Sequence, residues 1–190
     1  DNVKDKQKNS LLGTEFSETE IQNTLESYSI KYRKLQEQEF SDVVSELLIK
    51  DNIIGLFNGR MEFGPRALGS RSIIGDPRNS DMQKKMNLKI KFRESFRPFA
   101  PIVLEEKVDE WFDLVKKSKY MLFTAKIKED KREKINDKDI YLTGLDKLKV
   151  KRSKIPSVTH VDYSARIQTV GKDDDRKVYE LLKAFYNLTK

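Results

Sequence analysis

The sequence contains no cysteine, and this absence excludes disulfide frameworks, thiolate zinc sites, iron–sulfur clusters and cysteine nucleophiles. It contains a single histidine, His160, which cannot form a multi-histidine metal site by itself. No apolar run approaches the ~20 residues that a membrane-spanning helix requires, and no signal peptide opens the chain. We therefore expect a soluble protein of a reducing cytoplasm that makes no contact with a membrane.

The excess of basic residues is concentrated in one part of the chain. The 190 residues include 38 Lys+Arg and 31 Asp+Glu, which gives a formal net charge of +7. Residues 58–101 contain ten basic and four acidic residues, so this segment alone carries a net charge of +6. An excess of this kind attracts nucleic acid, anionic membranes or phosphorylated small molecules.

Apolar periodicity predicts helices that alternate with strands, which is typical of an α/β domain. Helices are expected after the capping box Ser17-Glu-Thr-Glu, over residues 36–49, along the stripe from Val108 to Val115, and from about residue 174. Strands are expected over residues 52–57, 100–104, 120–127, 157–161 and 166–170. We expect a flexible leader over residues 1–10, followed by a single domain over residues 11–190 with an exposed, mobile insertion near residues 128–154.

The first motif that could carry chemistry follows the predicted strand over residues 52–57. Residues 59–72 read Gly-Arg-Met-Glu-Phe-Gly-Pro-Arg-Ala-Leu-Gly-Ser-Arg-Ser, with three glycines and three arginines. Glycines let backbone N–H groups approach a ligand closely, and guanidinium groups match phosphate or carboxylate oxygens in pairs. The alternative is a structural turn whose arginines pair with Glu62 and Asp76.

The second motif, over residues 87–101, interleaves basic and aromatic residues. If it is extended, the side chains of Lys89, Lys91 and Arg93 share one face, and two apolar side chains on the other face anchor the backbone. This arrangement suits an anion site, but it equally suits a solvated face or a groove for single-stranded nucleic acid. Spacing alone does not separate these three interpretations.

The third motif covers residues 159–170. If its first part is a strand, His160 and Asp162 point the same way, and Arg166 and Gln168 repeat the pattern further on. A lone histidine is more often a structural residue than a catalyst. The sequence contains no readable Ser-His-Asp nucleophile arrangement and no P-loop.

Together and in this order, the three motifs resemble the C-terminal region of the NodU/CmcH-type O-carbamoyltransferases, the family of nodulation and tobramycin carbamoyltransferases. The resemblance rests on residues 59–72, on Phe-Arg-Pro-Phe-Ala-Pro at 96–101, and on Thr-His-Val-Asp and Ala-Arg-Ile-Gln-Thr-Val within 159–170. It implies a YrdC-like α/β domain, a twisted mixed sheet with flanking helices, truncated at both ends relative to the full enzyme. Two positions depart from the family pattern: Ser70 replaces the usual Asn, and Tyr163 replaces the usual Gly.

The resemblance also implies an activity. In the family, this domain forms carbamoyl adenylate from ATP and carbamoyl phosphate, with Mg²⁺ accompanying ATP. A separate N-terminal Kae1-like domain, absent here, then carbamoylates a hydroxyl on a small-molecule acceptor, so full transfer is not expected from this chain alone. The residues that the resemblance assigns to the anion cage are Arg66, Lys91, Arg97 and Arg166, with Arg60, Arg71 and Arg93 as further binding candidates and Glu62, His160 and Asp162 as supporting residues. No catalytic residue or metal ligand is assigned within the chain.

Two other functions remain open at this point. The first is a basic YrdC-like module that binds nucleic acid, which would spread its cations over one broad face and show steep salt dependence. The second is an inactive interaction domain that keeps the fold without the chemistry. A carbamoyl adenylate site instead requires the cations to converge on one concave pocket. The confinement of positive charge to residues 58–101 favours the pocket over nucleic acid.

Overall fold

Helices and strands alternate along the chain in the computed structural model, which describes residues 6–190 and, within them, every side chain except those of residues 8, 37 and 38. The helices are α1 (Glu18–Ser27), α2 (Glu37–Ile49), α3 (Met82–Met86), α4 (Val108–Trp111), α5 (Asp137–Ile140) and α6 (Arg176–Thr189). The strands are β1 (Ile54–Phe57), β2 (Arg71–Ile74), β3 (Ile102–Leu104), β4 (Phe123–Lys126) and β5 (Ser164–Val170). The predicted α/β class is confirmed.

The strands form two small sheets. β1 pairs antiparallel with β2, in a register that sets Ile54 opposite Ile74. In the second sheet β5 is central: β3 pairs with it in parallel and β4 antiparallel, so this sheet is mixed, as predicted. Five of the seven residues of β5 are buried and Arg166 is exposed among them. The central strand therefore presents one basic side chain to the surface.

Three apolar clusters hold these elements together. The largest surrounds β4 and β5 and includes Phe112, Ile127 and Ile167, none more than 1% exposed. A second joins α2 to α6, and a third joins β1, β5 and α6 through Leu56, Val170 and Val178. Because the third cluster takes side chains from both sheets, it fixes the β1–β2 hairpin against the mixed sheet. No helix among residues 6–190 is long and apolar enough to cross a membrane.

Several predicted elements are confirmed, one is shorter than predicted, and one is wrong. α1 begins with the predicted capping box, in which the Glu20 N–H donates to Ser17 Oγ (3.3 Å) and the Ser17 N–H donates to Glu20 Oε2 (2.7 Å). The helix predicted along the stripe from Val108 to Val115 is shorter than expected. It ends at Trp111, and Val115 is fully exposed. The strand predicted over 157–161 is wrong: a 3₁₀ turn at Pro156–Val158 leads into a turn in which the Tyr163 N–H donates to the His160 carbonyl (3.0 Å).

Residues 1–5 of the expected leader lie outside the described residues. Residues Lys8–Ser10 form a 3₁₀ turn, and the carbonyl of the buried Ser10 accepts from the Phe63 N–H (2.7 Å). Over residues 128–154, the buried side chains are those of Arg152 and Ser153, and none of the apolar ones is buried. The mobility of this stretch stays a prediction.

The second motif is not extended, so the condition under which Lys89, Lys91 and Arg93 would share one face is not met. Asn87–Lys91 is a π-helical turn that continues α3, and Phe92 closes it in the left-handed region at φ 48°. The fully buried Asn87 stabilises this turn, since its Nδ2 donates to the carbonyls of Ser95 (3.0 Å) and Arg97 (2.8 Å). The apolar side chains of the turn do not anchor it, because Phe92 is 85% exposed.

We expect Phe92→Gly to raise the free energy of unfolding by about 1 kcal/mol. A side chain with Cβ is strained at φ 48°, glycine is not, and the exposed phenyl ring has little packing to lose. Phe92→Ala retains Cβ and is the control, with a change near zero. Urea unfolding of the three chains measures the difference, and equal gains in both variants would contradict the backbone explanation.

Candidate functional site

The loop between β1 and β2 is organised by the carboxylate of Glu62. This side chain is 8% exposed, and its Oε1 accepts hydrogen bonds from the backbone N–H groups of Leu68 (2.7 Å), Ser70 (2.6 Å) and Arg71 (3.3 Å). Such bonds to an ionised acceptor are the stronger kind. The alternative in which the arginines of residues 59–72 pair with Glu62 and Asp76 is therefore wrong. Glu62 accepts from backbone N–H groups of the loop, and Asp76 pairs with Arg78 (2.6 Å).

The three arginines in this loop differ in their partners. Arg71 is fixed by the fold: it lies over the Phe57 ring (3.6 Å to the centroid), and its guanidinium donates to four backbone carbonyls, including those of Asn58 and Gly59. Arg60 makes an exposed pair with Glu15 (3.4 Å), which solvent weakens, and donates to a carbonyl of the N-terminal segment. Arg66 is half-buried and has no hydrogen-bond or ion-pair partner among residues 6–190. Of these three, Arg66 is therefore the cation most available to a ligand.

The second motif shows the same division between fixed and available cations. Arg93 Nε donates to Asn87 Oδ1 (2.6 Å), and its guanidinium lies over the Phe99 ring (4.9 Å). Arg97 is more than half exposed and makes a loose pair with Glu94 (3.4 Å), which solvent weakens. Lys91 is exposed and has no partner in the described part of the chain.

The third motif brings His160, Asp162 and Arg166 to the start of β5. Asp162 pairs with Lys126 (2.8 Å), and the hydrogen bonds from Lys126 and then from Ser164 hold the pKa of Asp162 well below its usual range. Burial lowers the pKa of His160; the negative Asp162 opposes this shift, and the positive Arg166 adds to it. His160 is therefore neutral at pH 7, and Asp162 is ionised and already paired.

Tyr163 closes this turn at φ 62°, a left-handed backbone conformation that favours glycine. The Arg132 guanidinium lies over its ring (5.0 Å), a contact that glycine cannot make. Tyr163 thus couples this turn to the 128–154 stretch.

The lowered pKa of His160 predicts a loss of stability in mild acid. Below its ordinary pKa of about 6.5, the unfolded chain binds a proton that the folded chain resists, so the free energy of unfolding falls as the pH drops. The fall continues until the pH passes the lowered pKa of the folded state. We expect His160→Gln to lose less stability than the parent between pH 7.5 and pH 5.5 in urea titrations. Since the chain has one histidine, parallel pH profiles would refute this assignment.

Gln168 joins the three motifs through its backbone and side chain. Its Nε2 donates to the Leu68 carbonyl (2.6 Å) in the first motif, and its N–H donates to the Pro101 carbonyl (3.0 Å) at the end of the second. Gln83 adds a second connection, since its Nε2 donates to the Arg97 carbonyl (3.1 Å) and its N–H donates to Ser157 Oγ (3.2 Å). The backbones that carry Arg66, Arg97 and Arg166 are thus tied to one frame.

The convergence of the four side chains in one pocket stays a prediction. A cavity of about 430 Å³ between α2 and α6 and a small one beside Gln168 are lined by residues other than Arg66, Lys91, Arg97 and Arg166. Sequence reasoning missed Asn87, Gln83 and Gln168 as positioning residues. An amide in a polar segment has no periodic signal, and its importance depends on which carbonyls the fold brings near.

The carboxylates of the motifs do not form a metal site. Glu62 accepts backbone N–H groups, Asp76 pairs with Arg78, and Asp162 pairs with Lys126. Residues 6–190 contain no group of three or more His, Asp and Glu side chains able to hold a metal ion. The described residues therefore offer no protein cage of several carboxylates for Mg²⁺.

Comparison with known proteins identifies the relatives of this chain. The family "Carbamoyltransferase C-terminus" matches residues 45–190. An uncharacterized protein of Synechocystis sp. is 48% identical over 95% of the chain and 30% of its own length. The nodulation proteins NolNO and U of Sinorhizobium fredii are 38% and 36% identical over 76% and 77% of the chain, and over 19% and 22% of their own lengths. The chain thus spans less than a third of the length of these relatives.

Proposed function

We propose that this chain, which belongs to the carbamoyltransferase C-terminal family, binds ATP and carbamoyl phosphate and forms carbamoyl adenylate as part of an O-carbamoyltransferase. The observation that carries the proposal is the state of Arg66. The loop around it is held by Glu62, its two neighbouring arginines have other partners, and Arg66 itself is half-buried without a partner in the described part of the chain. A cation kept unpaired in a preorganised loop suits an anionic ligand.

Charge neutralisation is the main task of such a site. Carbamoyl phosphate and the phosphates of ATP are all anionic, and their mutual repulsion opposes the approach of the reacting atoms. Arg66, Lys91, Arg97 and Arg166 would bind phosphate oxygens and hold the two substrates side by side. Arg60, Arg71 and Arg93 support the loops from which those side chains extend. Fixed donors of this kind stabilise developing charge without reorganising during the reaction.

The remaining groups orient the site. Glu62 fixes the loop that carries Arg66, and Asp162 shapes the turn before Arg166. His160 is neutral at pH 7, so it can donate or accept a hydrogen bond without adding charge. Mg²⁺, when present, partly neutralises the phosphates of ATP and enters with them.

Transfer of the carbamoyl group to the acceptor hydroxyl is a separate step from the formation of carbamoyl adenylate. The nodulation proteins that match this chain are several times longer, and we propose that a further domain of such an enzyme performs the transfer to a small-molecule hydroxyl. This chain by itself is then expected to bind the substrates and to transfer no carbamoyl group.

Titration calorimetry tests the proposal. We expect saturable binding of carbamoyl phosphate and of Mg²⁺–ATP to the 190-residue chain, each at one site. The nucleic-acid alternative predicts instead that single-stranded RNA binds more tightly than either small molecule, with an affinity that falls steeply as salt is added. Saturable RNA binding without any small-molecule binding would overturn the proposal.

A further inference from the structure

Arg152 is a buried arginine outside the proposed anion cage. Its side chain is 7% exposed, although arginine is almost never buried unless it is paired. Nη1 donates to the Val150 carbonyl (2.9 Å), two residues back, and the buried Nε has no hydrogen-bond partner. A guanidinium in this position carries a full positive charge with one internal hydrogen bond.

The neighbouring ion pairs do not neutralise this charge. Glu133, whose N–H donates to the Arg152 carbonyl (2.8 Å), pairs with Lys151 (3.7 Å), and Glu129 pairs with Arg132 (3.7 Å). No ion pair of Arg152 itself occurs within residues 6–190. Burying an unpaired charge is unfavourable, so a fold that keeps one is less stable for it.

The residue that follows Arg152 is hydrogen-bonded to the third motif. The Oγ atoms of Ser153 and Thr159 lie 2.7 Å apart, and Ser153 Oγ also accepts from the Ile155 N–H (3.0 Å). Thr159 directly precedes His160 of the third motif, and Ser157 on the same turn accepts from the Gln83 N–H. Gln83 in turn donates to the Arg97 carbonyl, so hydrogen bonds connect the segment that contains Arg152 with the second and third motifs.

We propose that Arg152 is a further phosphate-binding residue, whose missing counter-charge is supplied by a phosphate group of the bound substrate. This inference rests on the proposed function and extends its set of binding cations. A guanidinium suits the role because it stays charged when buried and can donate to phosphate oxygens in pairs. The role accounts for the unsatisfied Nε and for the lack of an acidic partner of Arg152 among residues 6–190.

The proposal makes two predictions of opposite sign for Arg152→Met. Methionine keeps an unbranched apolar stem and removes the buried charge, so the ligand-free variant should unfold at a higher urea concentration than the parent. Its affinity for carbamoyl phosphate, for ATP, or for both should fall at least tenfold in calorimetry. The ligand whose affinity falls identifies the source of the phosphate.

The matched control is Arg132→Met, on the adjacent segment. Arg132 has an acidic partner, a carbonyl acceptor (Ile127, 2.9 Å) and the Tyr163 ring, so its loss should lower the unfolding midpoint and change affinity less than twofold. Lower stability of Arg152→Met with unchanged affinity would overturn the proposal and assign Arg152 to holding its loop. Higher stability with unchanged affinity would also overturn it, because the charge would then serve no ligand.

A charge-retaining variant covers the case in which Arg152→Met does not fold. Arg152→Lys should fold. Its affinity should be lower than that of the parent and of Arg132→Met, and higher than that of Arg152→Met. If Arg152→Lys is less stable than the parent chain but binds carbamoyl phosphate and ATP equally well, the proposal is contradicted. If the parent chain binds the substrates and Arg66→Ala weakens binding while Arg152→Lys does not, this inference fails and the proposed function stands. If the parent binds neither substrate, both fail.

Discussion

Glu62→Ala is expected to lower the free energy of unfolding by about 2–4 kcal/mol, because it removes an ionised acceptor shared by three backbone N–H groups. Ser70 is 2% exposed, so its N–H would be left without an acceptor and without water. The same change should release the loop that carries Arg66 and abolish measurable binding of carbamoyl phosphate. Urea unfolding and calorimetry on one preparation give both results.

Glu62→Gln is the matched variant, since its amide oxygen can still accept from the loop without a negative charge. It should retain most of the stability and lose less affinity than Glu62→Ala. A change below about 0.5 kcal/mol for Glu62→Ala would mean that the loop does not depend on the carboxylate, because surface substitutions fall within that range.

Arg66→Ala is expected to weaken carbamoyl phosphate binding by about 30-fold, which corresponds to about 2 kcal/mol for hydrogen bonds to a charged group. The side chain is half-buried and unpartnered, so its removal leaves no described neighbour without a hydrogen bond and should change stability little. Arg66→Lys keeps the charge but loses the planar guanidinium, so its affinity should lie between those of the parent chain and Arg66→Ala.

The control for Arg66 is Lys116→Ala. Lys116 is exposed in the loop after α4, outside all three motifs and without a partner among the described residues. Its substitution should change affinity less than twofold, because an exposed charge is screened by solvent and salt. Equal losses in the two folded variants would show diffuse attraction and would favour the nucleic-acid alternative.

Local patterns in the sequence predicted the elements whose signals are local. The Ser17 capping box, the apolar stripe of α2 and the short apolar run of β1 each indicated an element that the structure contains. The wrong predictions lie where tertiary hydrogen bonds override local pattern. Alternation over residues 89–93 allowed an extended segment, but Asn87 closes a π-helical turn there through its side-chain amide. β2 was missed because a polar loop with glycines precedes it.

The residue types of the candidate site were predictable from the sequence, but the partners of each arginine were not. The motif alone does not rank the arginines of residues 59–72; the family resemblance placed Arg66 in the anion cage and Arg60 and Arg71 after it. In the fold, Arg71 stacks on Phe57, Arg60 pairs with Glu15, and Arg66 has no partner among residues 6–190. That separation depends on carbonyls of the N-terminal segment, far away in sequence. Arg152 was not singled out at all, because burial is invisible in a run of charged residues.

The central claim is that separate motifs bind one phosphate-bearing ligand together, and a nuclear magnetic resonance titration tests it most directly. Carbamoyl phosphate is added to ¹⁵N-labelled chain while the Nε–H signals of Arg66, Arg97 and Arg166 are followed. We predict that all three shift in a saturable manner with one dissociation constant, while the signal of Arg78, held by Asp76, stays in place. Small shifts of every arginine that grow linearly with concentration, or saturation at three different constants, would contradict a shared site.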